Sequence, residues 1–70
     1  MIVNAIDKMV IGKRLVKLRG EKTQKTVADD NDISISALAM YETGKRIPRD
    51  EVKIRLAKYF DKTVEELFFN

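Results

Sequence analysis

Residues 23–41 constrain the fold most, because they contain two short helical patterns separated by a tight polar turn. Thr23 and Ser34 are residue types that cap helix N-termini, so each predicts the start of a helix. Asp32 falls in the turn between the two helices, next to Ile33. The positions expected to pack inside this helix pair are Val27, Ala28, Leu38 and Tyr41.

Helical periodicity continues on both sides of this pair. Ile11, Leu15 and Leu18 recur at intervals of four and three residues, which is one face of a helix that Gly20 ends. The only proline precedes a fourth helix, and residues 63–66 match a capping box that begins a short fifth. The side chains that the fourth helix is expected to bury are Val52, Leu56, Tyr59 and Phe60. The sequence therefore predicts an all-α fold, with a single domain over residues 1–70 and a two-helix core at about 23–42.

Composition excludes several classes of protein. The chain has no cysteine and no histidine, so it predicts neither disulfides nor the usual zinc sites. The longest uncharged run, residues 33–41, is too short to span a bilayer, and the N-terminus lacks the layout of a signal peptide. We therefore expect a cytoplasmic protein with no membrane partner.

The sequence contains no recognisable catalytic constellation, so we expect the protein not to be an enzyme and to need no cofactor. Three neighbouring acids suggest a calcium site, namely Asp29, Asp30 and Asp32. An EF-hand loop that starts at Asp30 puts Ile35 where glycine belongs and Tyr41 where the bidentate glutamate belongs. The motif fails, and no metal site is predicted.

The distribution of charge says more than the net charge of +3. Residues 13–25 hold six basic side chains against one acid, Glu21. Residues 43–49 hold Lys45, Arg46 and Arg49 with no acid. These basic side chains lie next to a helix pair, and the second helix of the pair has a polar N-terminal edge. The combination favours binding to duplex DNA, with the second helix in the major groove.

The chain resembles the Cro and phage-repressor type of helix-turn-helix transcriptional regulator, also called the xenobiotic-response-element family. The resemblance covers residues 11–68, almost the whole chain. The matching pieces are Ile11-Gly12-Lys13-Arg14-Leu15, Lys17-Leu18-Arg19, Thr23-Gln24, Val27-Ala28, Ile33-Ser34, Leu38, Tyr41-Glu42-Thr43-Gly44-Lys45-Arg46 with Pro48, Leu56-Ala57 and Thr63-Val64-Glu65-Glu66-Leu67. The resemblance implies a compact five-helix domain like that of the lambda repressor, with a central helix-turn-helix.

Turn geometry and the resemblance together assign the DNA-facing positions. The base-facing set is Ser34, Ile35, Ser36, Ala39 and Met40, in which only the two serines can hydrogen-bond. The phosphate-binding set is Thr23, Gln24, Lys25, Thr43, Lys45, Arg46 and Arg49. The resemblance also implies a structural salt bridge between Arg19 and Glu42, which would hold the second helix of the pair against the first helix of the domain.

Two departures from the family pattern affect the geometry. The connection from Arg19 to Gln24 is shorter than the usual family loop, which predicts a tighter turn. Many members place an apolar residue and then glycine in the turn between the paired helices, whereas this chain has Asn31 and Asp32. Asn and Asp adopt a left-handed conformation more readily than other non-glycine residues, so the fold is kept at a cost of about 1 kcal/mol.

The expected function is that of a prokaryotic or phage transcriptional repressor. It would bind double-stranded DNA as a homodimer on an inverted-repeat operator whose half-sites lie about 34 Å apart. The alternative is an antitoxin or antirepressor-like module whose main partner is a protein. The apolar character of the second helix of the pair, which would be the recognition helix on DNA, motivates this alternative. The apolar termini, residues 1–10 and 67–70, either complete the core or form the dimer contact. No small-molecule ligand is expected, because the chain has no room for a separate ligand-binding domain.

Overall fold

The computed structural model describes residues 7–69, and α-helices joined by short loops account for most of them. The helices are α1 (Lys8–Arg19), α2 (Gln24–Asp30), α3 (Ile35–Glu42), α4 (Asp50–Tyr59) and α5 (Val64–Phe68). The predicted all-α fold of five helices is confirmed. Within the described range, no helix is long and apolar enough to cross a membrane.

Four of the five described helices begin where a short polar side chain caps them, and α4 begins after Arg49 without a side-chain cap. The side-chain oxygens of Thr23, Ser34 and Thr63 each accept a hydrogen bond from the backbone N–H three residues further on. The predicted capping box at the start of α5 is present in both directions, because the Glu66 carboxylate also accepts from the Thr63 N–H. That hydrogen bond lowers the pKa of Glu66, so the cap stabilises the ionised carboxylate. These starts follow from local chemistry that is visible in the sequence.

The turn between α2 and α3 keeps the family geometry without glycine. Asp32 has a φ of 57°, the left-handed conformation that a glycine would adopt at no steric cost. Asn31 is buried, and its side-chain Nδ2 donates to the carbonyl oxygen of Val27 at 2.8 Å. The Asn31 side chain therefore stabilises the end of α2, while Asp32 supplies the left-handed backbone that the turn requires.

The core consists of two groups of buried side chains. The larger group joins α1, α3, α4 and α5, and its members are Ile11, Leu15, Tyr41, Val52, Leu56, Ala57, Leu67 and Phe68. The smaller group lies between α2 and α3, and its members are Val27, Ala28 and Leu38. Ile33 and Phe60 pack against both groups and connect them.

Two aromatic side chains of α4 differ from the prediction. Tyr59 and Phe60 are only half-buried, whereas Val52 and Leu56 are buried as expected. The two rings meet edge to face, with centroids 5.0 Å apart. They lie at the C-terminal end of α4 and pack on the edge of the smaller core group, while the Tyr59 hydroxyl contacts polar groups of the α1–α2 loop and α2.

Gly12 lets α1 and α3 approach closely. A Cβ atom added at Gly12 would collide with the carbonyl oxygen of Glu42, and it would lie 2.8 Å from the carbonyl carbon of Glu42 and 2.9 Å from the carbonyl oxygen of Tyr41. All three are backbone atoms, which cannot move aside as the end of a side chain can. The position of the C-terminal end of α3 therefore depends on the absence of a side chain on α1.

The two ends of the described chain contribute differently to packing. Leu67 and Phe68 are buried and complete the larger core group. Met9 and Phe69 stay exposed, at 54% and 37% of their surface, as does Val10. The predicted dimer contact of the termini also involves residues 1–6 and 70, which lie outside the described residues.

Candidate nucleic-acid interface

One side of α3 is free of the core. Ser34, Ile35 and Ser36 are exposed at its N-terminal end, and Ala39 and Met40 are half-buried one turn further on. Leu38, Tyr41 and Glu42 form the buried side. At about 100° per residue Ser36 and Met40 lie opposite Leu38, and Ala39 lies beside them. Ser34 and Ile35 project close to the buried side and are exposed because they stand at the start of the helix. We call these five residues together the outer face of α3.

The outer face of α3 offers little hydrogen bonding. The Ser34 hydroxyl oxygen accepts from the Ala37 N–H at 2.9 Å, which caps the helix and leaves the hydroxyl proton available to a ligand. Ile35 is 44% exposed despite its apolar side chain. Such a surface suits contacts with thymine methyl groups and serine hydrogen bonds to base edges, which discriminate bases weakly. DNA shape would have to supply part of any specificity.

A nearly buried ion pair ties α3 to α1. The Arg19 Nε donates to Glu42 Oε2 at 2.7 Å, and the Arg19 Nη2 donates to Glu42 Oε1 at 3.2 Å. The Glu42 side chain is only 3% exposed and that of Arg19 is 20% exposed. The structure thus has the pair in the two-pronged geometry that makes arginine–carboxylate contacts strong.

Gln24 joins the same network, a contact that the sequence did not indicate. Its Nε2 donates to Glu42 Oε1 at 2.8 Å, so one carboxylate receives donors from α1 and from the first residue of α2. A primary amide has two N–H groups, and Glu42 uses one of them. The remaining N–H is the group with which Gln24 could donate to a phosphate oxygen.

Two other residues of the predicted phosphate set have internal partners. The Thr23 hydroxyl accepts from the Thr26 N–H and donates to the Thr26 hydroxyl, both at 3.0 Å. The Lys25 Nζ lies 2.7 Å from Asp29 Oδ2, and this hydrogen bond raises the pKa of Lys25. The pair is largely exposed, so it is weak and Lys25 can exchange this partner for a phosphate.

The loop that follows α3 has a fixed backbone and exposed basic side chains. The N–H groups of Lys45 and Arg46 both donate to the carbonyl oxygen of Met40, at 2.9 and 3.3 Å. The Thr43 hydroxyl donates to the Ala39 carbonyl oxygen at 2.8 Å. No carboxylate in residues 7–69 forms an ion pair with Lys45, Arg46 or Arg49. Their positive charges are therefore available beside the outer face of α3.

A chain of side-chain hydrogen bonds, which the sequence did not reveal, connects α2 and the loop before it to α4. The Lys22 Nζ donates to the Tyr59 hydroxyl at 2.9 Å, and that hydroxyl donates to Asp30 Oδ2 at 2.7 Å. The hydrogen bond to Tyr59 raises the pKa of Lys22. The three residues are far apart in sequence, so no local pattern could have predicted the contact.

The fold and this surface define a helix-turn-helix protein of the kind that binds DNA. A model of the helix-turn-helix family matches residues 13–67. The chain belongs to this family of transcriptional regulators, of the Cro and xenobiotic-response-element type, and the predicted family is confirmed. The family is one of DNA-binding regulators. A comparison with curated protein sequences found no match.

Several solved structures of bacterial regulators are similar to the chain. The restriction-modification controller protein C.AhdI from Aeromonas hydrophila is 30% identical, with a TM-score of 0.77 over 87% of this chain and 96% of that one. The SOS-response transcriptional repressor LexA from Eubacterium rectale is 25% identical, with a TM-score of 0.84 over 100% of this chain and 76% of that one. A transcriptional regulator from Listeria innocua is 28% identical, with a TM-score of 0.75 over 83% of this chain, which spans 56% of that regulator.

Proposed function

We propose that the protein is a cytoplasmic repressor that binds a specific duplex DNA sequence as a homodimer on an inverted repeat. The observation that carries the proposal is the outer face of α3, an exposed helix face with unpaired basic side chains beside it. Membership of the helix-turn-helix family supports DNA as the partner. The similarity to a protein described as an SOS-response transcriptional repressor supports repression.

Base recognition in this proposal belongs to the N-terminal half of α3. Ser34 and Ser36 would donate to base edges, while Ile35, Ala39 and Met40 would contact thymine methyl groups. A predominantly apolar set favours A·T-rich half-sites, because only thymine offers a methyl group in the major groove. The network of Arg19, Gln24 and Glu42 would set the depth of α3 in the groove, since it holds the C-terminal end of α3 against α1.

Phosphate contacts in this proposal surround that helix. Lys45, Arg46 and Arg49 would bind one strand beyond the C-terminal end of α3. The start of α2 would bind the DNA strand on the other side of the groove, through Thr23, Gln24 and Lys25. Thr43, which precedes the basic loop, would lie close to the same DNA strand as that loop. Such contacts fix register and contribute affinity without reading sequence.

The size of the site and the apolar ends of the described chain support the homodimer. A single α3 of eight residues covers only one half-site. Met9, Val10 and Phe69 expose large apolar surfaces at the two ends of the described chain, which a second copy would cover. A two-fold axis there would make the operator an inverted repeat.

The test of this proposal is the selection of bound sequences from a random duplex library, at two salt concentrations. We expect enrichment of an A·T-rich inverted repeat whose half-site centres lie about 10 bp apart. Salt-sensitive retention of all sequences alike would instead mean that the basic side chains bind phosphate without base recognition. That outcome, or no retention at all, would favour the alternative of an antitoxin or antirepressor-like module with a protein partner.

Removal of two basic side chains should weaken DNA binding and make it less salt-dependent. We expect Lys45→Ala combined with Arg46→Ala to raise the Kd for the selected operator about tenfold or more at moderate salt, because exposed charge contacts contribute up to about 1 kcal/mol each. The slope of log K against log salt should fall by about two, one for each lost phosphate contact. Fluorescence anisotropy titrations at four salt concentrations measure both quantities.

The matched control removes the same charge elsewhere. Lys13 and Lys58 are exposed, lie on α1 and α4, and belong to neither the base-facing nor the phosphate-binding set. Lys13→Ala combined with Lys58→Ala should leave the Kd within about twofold, apart from the small effect of net charge. An equal loss in both double variants would show that net charge alone governs binding, and would reject the basic loop as a site.

A further inference from the structure

A groove of about 650 Å³ lies between α1 and α5, and the proposed DNA function does not use it. Its lining residues are Arg14, Lys17, Leu18, Lys62, Glu66 and Leu67. Its size is in the range of ligand-binding clefts in proteins, and three of its six lining side chains are cationic. The groove thus combines an apolar base with basic walls.

The only acid of the groove is already engaged. Glu66 Oε1 accepts from the Thr63 N–H at 2.9 Å in the capping box of α5, and its pKa is lowered by this bond. Its carboxylate therefore caps the start of α5, although the residue also lines the groove. Arg14 has a structural role too, because its Nη1 donates to the carbonyl oxygen of Glu66 at 2.8 Å.

The two lysines are the groups of the groove that can bind an anion. In the part of the chain that the structure describes, no carboxylate oxygen lies within 4 Å of the ammonium group of Lys17 or Lys62. Both residues are exposed at the rim of the groove. Between them lie the apolar side chains of Leu18, which is half-buried, and Leu67, which is buried.

The groove is on the far side of α1 from α3. Gly12 and Arg19 contact the C-terminal end of α3, so they define the side of α1 that faces the recognition helix. At about 100° per residue, Arg14 and Lys17 project roughly 140–200° away from Gly12. A duplex in contact with the outer face of α3 would leave the groove accessible.

We propose that this groove is a docking site for an acidic, amphipathic segment of another protein. Carboxylates of the segment pair with Lys17 and Lys62, and an apolar side chain between them packs on the half-buried Leu18, beneath which the buried Leu67 closes the groove. Charge complementarity selects an acidic partner, and the leucine base selects a protein segment over a nucleic acid backbone, which has no apolar side chain to bury. The inference does not depend on the proposed operator.

The test uses the whole chain and a defined probe. The probe is a fluorescein-labelled synthetic peptide of alternating glutamate and leucine, capped at both ends, and its binding is followed by anisotropy and by ¹⁵N chemical shifts of the protein. We expect a Kd in the micromolar to millimolar range, with the largest shifts at the amides of Lys17, Leu18 and Leu67. Replacing the glutamates of the probe with glutamine, or its leucines with serine, should each weaken binding at least tenfold.

Charge reversal on the protein completes the test. Lys17→Glu combined with Lys62→Glu should weaken peptide binding at least tenfold, while the matched Lys8→Glu and Lys58→Glu pair, whose α1 member lies more than two turns from Lys17, should change it less than threefold. Circular dichroism checks that each variant is folded. Equal losses in the two pairs, shifts spread over the whole surface, or no binding to the wild-type protein would overturn the proposal. A groove variant that loses duplex affinity and keeps peptide affinity would also overturn it, in favour of a nucleic acid.

Discussion

Replacing Arg19 with methionine should lower the free energy of unfolding by about 3–5 kcal/mol. Methionine keeps an apolar stem of similar length but removes both donors to Glu42, whose side chain is only 3% exposed. The carboxylate would keep a single side-chain donor, the Gln24 amide, and would otherwise be a buried charge without compensation. At about 0.05–0.15 kcal/mol per residue, a chain of 70 residues is stabilised by roughly 3.5–10 kcal/mol, so the loss removes about a third or more of the total stability.

Chemical denaturation followed by circular dichroism measures this loss. The control is the double variant Arg19→Met with Glu42→Met, in which no charge remains buried. It should recover a substantial part of the stability, because replacing a whole buried ion pair with apolar side chains is often nearly neutral. A loss below about 1 kcal/mol for Arg19→Met alone would match an exposed ion pair and contradict the burial of Glu42.

Replacing Gly12 with alanine should also destabilise the protein, by about 1–3 kcal/mol. Alanine favours a helix over glycine by up to about 1 kcal/mol, so propensity alone predicts the opposite sign. The collision of the new Cβ with the backbone of Tyr41 and Glu42 outweighs this gain, because α1 and α3 must separate. The melting temperature should fall by about 4–8 °C for each kcal/mol in a domain of this length.

Gly20→Ala is the matched control for the Gly12 variant. Gly20 has a φ of 59°, and an added Cβ would come no closer than 4.0 Å to the carbonyl oxygen of Leu18. Its substitution therefore tests backbone strain without crowding, at a cost of about 1–2 kcal/mol. Operator affinity separates the two variants, since only Gly12→Ala displaces α3. A Gly12→Ala protein as stable as the wild type would mean that the two helices are further apart in solution.

Local signals in the sequence were sufficient to predict most helix boundaries. Thr23, Ser34 and Thr63 cap their helices as expected, because a capping hydrogen bond spans only three residues. The end of α3 at Glu42 also agrees with the predicted two-helix core at 23–42, and Gly44 follows the C-cap Thr43 with a φ of 77°. Periodicity identified the buried residues of α1 but overestimated the burial of Tyr59 and Phe60, which pack at a helix end.

The sequence predicted which residues form the exposed side of the candidate site, but it did not predict the hydrogen bonds among the residues of the site. The outer face of α3 follows from helical spacing alone, since the buried Leu38 and Tyr41 define the opposite side. The salt bridge of Arg19 and Glu42 was implied only by the resemblance to a family. Nothing in the spacing of Gln24 and Glu42, 18 residues apart, indicates that they share a hydrogen bond.

The sequence by itself determined the helices, the caps at Thr23, Ser34 and Thr63 and the exposed side of α3, because these depend on interactions between residues at most one or two turns apart. Only the tertiary structure decided how closely α1 approaches α3 at Gly12, which donors converge on Glu42, and which cations border the groove between α1 and α5. Those features depend on the relative placement of helices, which the packing of the whole core sets.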